Sequence, residues 1–199
     1  ASTSDYIGRK NTYHCFFILG TILYLSIPYF AGEGSMLALA GFYLATMAIF
    51  TMYGGGFATI PAYLADMFGT MHVGGIHGRL LTAWSTAGVL GPFAITCLRN
   101  VSKNNAISDL VANIDPAAFV QKFGALIDQL ESLVAAKTVT IARLMEIAPA
   151  GTSNPTSGLY NTTMYSMAGL LVITFLANAL IRPVAGHRNV EKTHPEAKT

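Results

Sequence analysis

Charge is what this sequence has least of. Lysine, arginine, aspartate and glutamate make up 11% of its 199 residues, where an ordinary soluble domain carries roughly 25%. So few charges cannot coat a globule of this size, which argues against water as its main solvent. The scarcity is also uneven. Residues 11–98 hold only Glu33, Asp66 and Arg79, residues 159–181 hold none, and residues 99–158 hold ten. A net charge of +2 leaves no basic footprint for a nucleic acid. Cysteine is nearly missing too: Cys15 and Cys97 are too few for a disulfide framework. His72 and His77 flank a glycine-rich loop five residues apart, with no cysteine or carboxylate to complete a metal set. The run "GGGFAT" lacks the G-K-[ST] ending of a phosphate loop and follows an apolar helix rather than a strand. The expectation is a protein without metal or cofactor and not an enzyme.

What the sequence has instead is long apolar runs. Four are long enough to cross a bilayer, which takes about 20 residues: Tyr13–Phe30, Met36–Ala65, Gly75–Leu98 and Leu159–Ile181. A large buried helix can be apolar all round as well, but four of them with so few charges point to lipid. The expected fold is therefore an all-α membrane protein with four transmembrane helices. The chain opens on Ala1 and a polar segment, with no signal peptide; this reads as part of a longer polypeptide.

Lysine and arginine collect on short cytoplasmic loops. Four spans put the N-terminus, the 66–77 loop and the C-terminus on one side, with Arg9, Lys10, Arg79, Arg182, Arg188, Lys192 and Lys198. The opposite short loop, Ala31–Ser35, has neither residue. The reading is an integral plasma-membrane (cell inner-membrane) protein with both termini in the cytoplasm. Residues 1–12 form a cytoplasmic loop, 13–98 three spans, 99–158 an extracytoplasmic insert, 159–182 the fourth span and 183–199 a cytoplasmic tail. Cys15 and Cys97 then lie at opposite membrane faces and cannot bridge.

The insert has its own pattern. Asp115 precedes Pro116 as a helix N-cap would. Phe119, Phe123, Leu126, Leu130 and Leu133 follow at spacings of 4, 3, 4 and 3, one apolar stripe of one helix. Lys137 and Thr140 interrupt it, a second helical set follows in "TIARLMEIAP", and residues 150–158 form a loop. The stripe covers the bundle, its own second helix or a partner. Asn100 and Asn161 head formal glycosylation sequons.

"ASTSDYIGRK", residues 1–10, resembles the loop signature of the major facilitator superfamily, G-x-x-x-D-x-x-G-R-K, with Ala1 in place of its first glycine. "YGGGFATIPAYLADMFG" followed by "GGIHGRLLTAWSTAGVLGP" resembles helices 10 and 11 of the oxalate:formate antiporter branch of that superfamily. The resemblance spans residues 1–98 and reaches the last span. It implies that the four spans correspond to helices 9–12, the end of a twelve-helix major facilitator fold. The insert then falls where that fold has a short turn. It implies a segment of a secondary active transporter moving a small organic anion, mono- or dicarboxylate, by alternating access, together with the missing N-terminal part on the same chain or a partner chain. Oxalate exchangers of the branch carry a lysine in helix 11; here Trp84 takes its place, so the resemblance does not extend to oxalate. The alternative is a non-transporting four-helix membrane fragment or subunit that acts by binding a partner chain.

Three sets of residues follow. Trp84, Ser85, Thr82, Tyr53 and Tyr63 are aromatic or hydroxyl-bearing and suit a solute site. Gly54, Gly55, Gly56 and Pro61 suit a flexing element: thirty residues from Met36 to Ala65 make about 45 Å of helix against a core of about 30 Å, and Pro61 removes a backbone bond. Close static packing is the plain alternative. Asp66 closes that span, an unfavourable place for a carboxylate, so a partner is expected. Asp5, Arg9, Lys10 and Arg79 lie on the same side and, with Asp66, form a candidate cytoplasmic gate.

Overall fold

The computed structural model describes residues 2–182, and all regular structure among them is helical. The tail expected over 183–199, with Arg188, Lys192 and Lys198, lies outside the described residues. A short α1 (Ser2–Ile7) leads through Gly8 into α2 (Arg9–Glu33), so most of the expected 1–12 loop is helical. A turn at Gly34 and Ser35 returns the chain as α3 (Met36–Phe68), where the Ser35 hydroxyl accepts the amide of Ala38 at 3.1 Å. One 3-10 turn, Thr70–His72, leads into α4 (Val73–Ala112). His77 is therefore helical and not in a loop. Three short helices follow, α5 (Pro116–Phe123), α6 (Leu130–Ala135) and α7 (Ile141–Met145), before α8 (Asn161–Leu180).

Helices α2, α3, α4 and α8 are each long and apolar enough to cross a membrane. Helix α2 lies between α3 and α8 and packs along both. Small residues let the backbones approach: Ala38 and Ala45 of α3 and Ala168 of α8 are almost fully buried. Most large apolar side chains of the spans point outward instead, among them Ile22, Leu44, Phe50, Ile173 and Leu176, as a hydrocarbon solvent permits. The apolar run of α4 touches α3 and α8 only lightly, and its most apolar stretch buries no residue. Both cysteines are free.

Helix α4 does not end with the apolar run at Leu98. It continues to Ala112, forty residues in all, or about 60 Å, twice a bilayer core of about 30 Å. The extension turns amphipathic: Ile107, Leu110 and Val111 are buried on one face. With Ile114, Phe119, Val139, Ile141, Leu144 and Leu159 they make the main apolar core of the molecule. The 99–158 segment is thus a cap with a core of its own, built on a stalk that is the top of α4.

Inside the cap the expected single stripe helix is broken. Gly124 takes a left-handed conformation (φ 67°) and its amide bonds the Val120 carbonyl at 2.8 Å. That left-handed turn, open to glycine at little cost, ends α5 in mid-stripe. Phe123 from α5 and Leu130 and Leu133 from α6 still reach the core, while Leu126 is 60% exposed. Asp115 does cap α5, accepting the Ala117 amide at 3.3 Å. Lys137 and Thr140 are helix ends: Lys137 adopts φ 58° after α6, and the Thr140 hydroxyl accepts the Arg143 amide at the start of α7.

The Lys122 ammonium bonds Glu146 Oε2 across the cap at 2.5 Å. Its hydrogen bond and its charge hold the Glu146 carboxyl below the usual range, with slight desolvation opposing and Arg143 helping. A depressed folded-state pKa stabilises above the ordinary carboxylate value and is lost as pH falls through the lowered one. Lys122→Met is therefore expected to move the Glu146 titration midpoint upward, read by carboxyl carbon NMR. An unmoved midpoint counts against the pair.

Candidate functional site

At the end of the bundle where α2 begins and α3 and α8 finish, polar side chains from all three meet. Gly8 ends α1 in an extended, positive-φ link (φ 88°), so α2 starts with Arg9 and Lys10 pointing at the other helix ends. Arg9 Nε donates to Asp66 Oδ2 at 2.7 Å, and its second nitrogen reaches Asp5 Oδ1 at 2.8 Å. Asp66, one turn from the α3 C-terminus, so has its cation. Lys10 does something else. Its ammonium donates to the carbonyls of Ala179 and Ile181, both at 2.8 Å, satisfying acceptors that a helix end leaves open.

Beneath this layer sits Asn178 of α8, only 5% exposed. Its Oδ1 accepts the Tyr63 hydroxyl at 2.9 Å, and its amide donates to the Lys10 carbonyl at 3.2 Å and lies 3.5 Å from His14 Nδ1. Lys10 is thus tied to α8 at both ends, its ammonium to the Ala179 and Ile181 carbonyls and its own carbonyl to the Asn178 amide, and Tyr63 brings in α3. The Tyr63 ring stacks on Tyr13 at 5.3 Å, and His14 meets Phe175 edge-on at 4.8 Å.

Arg79, expected in the gate, is not part of it: among the described residues it makes no ion pair, and Arg9 takes Asp66 instead. The loop side of a helix tells which membrane face a charge occupies, not which neighbour it reaches. Arg9→Glu is expected to cost up to about 1 kcal/mol, the range of partly exposed pairs. Adding Asp66→Arg should recover most of it in the detergent unfolding midpoint. A double variant no better than the single one would remove the pair from the argument.

Above the junction, α2 and α3 open into a cleft of about 290 Å³, closed at one point by Leu171 of α8. Its walls include Tyr13, Phe16, Tyr24, Tyr53 and Phe57, and none of its lining residues is charged. Helix α3 runs unbroken past it, with Gly54, Gly55, Gly56 and Pro61 all inside the helix. The backbone is supported there by added hydroxyls: Tyr13 donates to the Gly56 carbonyl at 2.7 Å and Thr59 to the Gly55 carbonyl at 2.8 Å.

The five residues expected at a solute site do not converge. Tyr53 lines the cleft and Tyr63 lies in the junction below. Trp84, 49% exposed, lies against the cleft-wall residue Phe57 at 4.3 Å, and Phe57 in turn against Tyr53 at 5.3 Å; the tryptophan links α4 to the wall of the cleft without itself lining it. Thr82 and Ser85 are exposed, and their hydroxyls bond the carbonyls of Arg79 and Leu81 in their own helix. The separation follows from α4 standing apart from the packed trio. Asn178, Tyr13 and His14 were not among the expected residues; the signal for Asn178 was an amide inside the otherwise apolar "ITFLANALI".

Compared with protein-family models, with curated proteins and with solved structures, the chain gives no match in any of the three.

Proposed function

We propose that these spans belong to a secondary transporter of a small organic anion, with the basic end facing the cytosol and the cap outside, and with further helices lying against α4. The observation that carries the reading is the junction at the basic end. Asp5–Arg9–Asp66 and the bonds of Lys10 with Ala179, Ile181 and Asn178 join three spans through polar side chains at this end. Such contacts can part without unfolding any helix, as rocking about a central site requires. The bare apolar length of α4, with Thr82, Ser85, Gly88 and Gly91 along it, supports the need for more helices. The resemblance of residues 1–98 to the major facilitator superfamily supports the same assignment. The uncharged cleft supports a site whose anion-binding cation lies elsewhere.

The same uncovered α4 supports the second reading, a four-helix subunit that holds a partner chain and moves nothing. One experiment separates them. Proteoliposomes carrying residues 1–199 alone should take up no labelled formate, acetate or oxalate, and those carrying the whole open reading frame that encodes these residues should. Uptake by 1–199 alone removes the need for further helices; no uptake by either removes transport and leaves the subunit.

A further inference from the structure

The apolar run of α4 ends at Leu98, and the next residue is Arg99. Its guanidinium carbon lies 5.6 Å from the centre of the Tyr160 ring, at the start of α8. Its Nε is buried and has no hydrogen-bond partner. The three ion pairs among the described residues involve Arg9 and Lys122, so no carboxylate neutralises Arg99. One turn further out, at i+4, Lys103 faces a crevice of about 720 Å³ that Asn100 and Asn104 also line, and it too is without an ion pair among the described residues. Asp128 and Glu131 line the same crevice and come within ion-pair distance of neither cation.

A guanidinium partly out of water with no carboxylate beside it is an expensive arrangement unless an acceptor joins the nitrogens that stay open. Its flat fork fits two oxygens of one oxyanion, and a carboxylate or a phosphate presents that pair at the right spacing. The Tyr160 ring lies against the guanidinium; Nε is closed off, and the two terminal nitrogens, which are not, are left for the ligand. From these observations we propose that Arg99, held by Tyr160 and backed by Lys103, is an oxyanion-binding site at the cap end of α4. The ligand is a small carboxylate or phosphate anion, or the phosphate of a lipid headgroup; the chemistry is shared. This goes beyond the transport reading and does not depend on it, because binding is measured without flux.

The test uses the 199-residue chain in dodecyl maltoside, a neutral detergent, with nitrogen-15 arginine; the Arg99 Nε–H signal is identified by its loss in Arg99→Gln. Acetate, oxalate and inorganic phosphate are titrated at fixed ionic strength against sodium chloride. The chain is then placed in phosphatidylcholine nanodiscs with and without phosphatidylglycerol. A saturable shift with a carboxylate or phosphate assigns a soluble anion, and a shift only on adding phosphatidylglycerol assigns a lipid headgroup. Arg99→Lys keeps the charge and loses the fork, so its affinity, read by isothermal calorimetry, should fall about tenfold, the factor that 1.4 kcal/mol represents. Tyr160→Leu should weaken binding without abolishing it. No saturable shift in any arm, or the same shift with chloride alone, overturns the proposal. The transport reading would survive that result, and the site would survive a failure of transport.

Discussion

Phe119→Ala is expected to unfold the cap while the four spans stay in the membrane. Phe119 has no solvent exposure and sits among Ile107, Leu110, Val139 and Leu144. Removing a buried phenyl group costs about 3–5 kcal/mol through lost transfer energy and the cavity left behind. A segment as short as the cap buries little surface, so its stability is of the same order. The expected result is lost amide protection and rapid proteolysis between residues 113 and 158, with normal membrane extraction of the chain. Leu126→Ala is the control: the side chain is 60% exposed, and its truncation should stay within about 0.5 kcal/mol. If Phe119→Ala keeps wild-type protection, the cap is held by the bundle beneath it and not by its own core.

The contrast between Phe119 and Leu126 also measures what the sequence carried. Both belong to the same 4-3-4-3 stripe, and periodicity alone treats them alike. What separates them is Gly124: its left-handed backbone ends the helix between them, and a glycine within a stripe can be either tolerated or a terminus. Long apolar runs were more legible, because lipid solvent sets both their length and the absence of charge; the four spans emerge near their expected limits. The exception is the far end of α4. Hydropathy stops at Leu98, but helix does not need hydropathy to continue, and Ile107, Leu110 and Val111 carry it upward as an amphipathic stalk. In the basic junction, topology placed Asp5, Arg9, Lys10, Asp66 and Arg79 on one face. It could not tell that Arg9 would take Asp66, that Lys10 would cap α8 or that Arg79 would stand apart, because those outcomes depend on distances between helix ends. Asn178 was legible in principle: an amide in an apolar span must find partners, and it found Tyr63 and the Lys10 carbonyl.

Gly55→Leu is expected to separate α2 from α3 and, on the transport reading proposed above, to abolish uptake, while Gly54→Leu is expected to do neither. A Cβ on Gly55 would lie 3.2 Å from Phe16 Cζ, and one on Gly54 would meet nothing within 4 Å. A leucine at 55 must push the Phe16 ring out of the cleft wall or the helices apart, an overpacking cost of about 1–3 kcal/mol. At Gly56 the room is intermediate, 3.9 Å to Tyr13 Cε1, but that Tyr13 also donates to the Gly56 carbonyl, so displacing its ring costs a bond as well. The pair of variants decides what the three glycines are for. If close approach is the reason, sensitivity follows the contact and falls on Gly55. If bending is the reason, Gly54 and Gly55 are equivalent, because either leucine restricts the backbone that glycine leaves free. The measurements are labelled-carboxylate uptake by the whole open reading frame and the detergent unfolding midpoint. Equal loss of uptake in both variants with unchanged midpoints assigns Gly54–Pro61 the flexing role. Full uptake with Gly55→Leu would show that neither packing nor bending at this point limits the cycle.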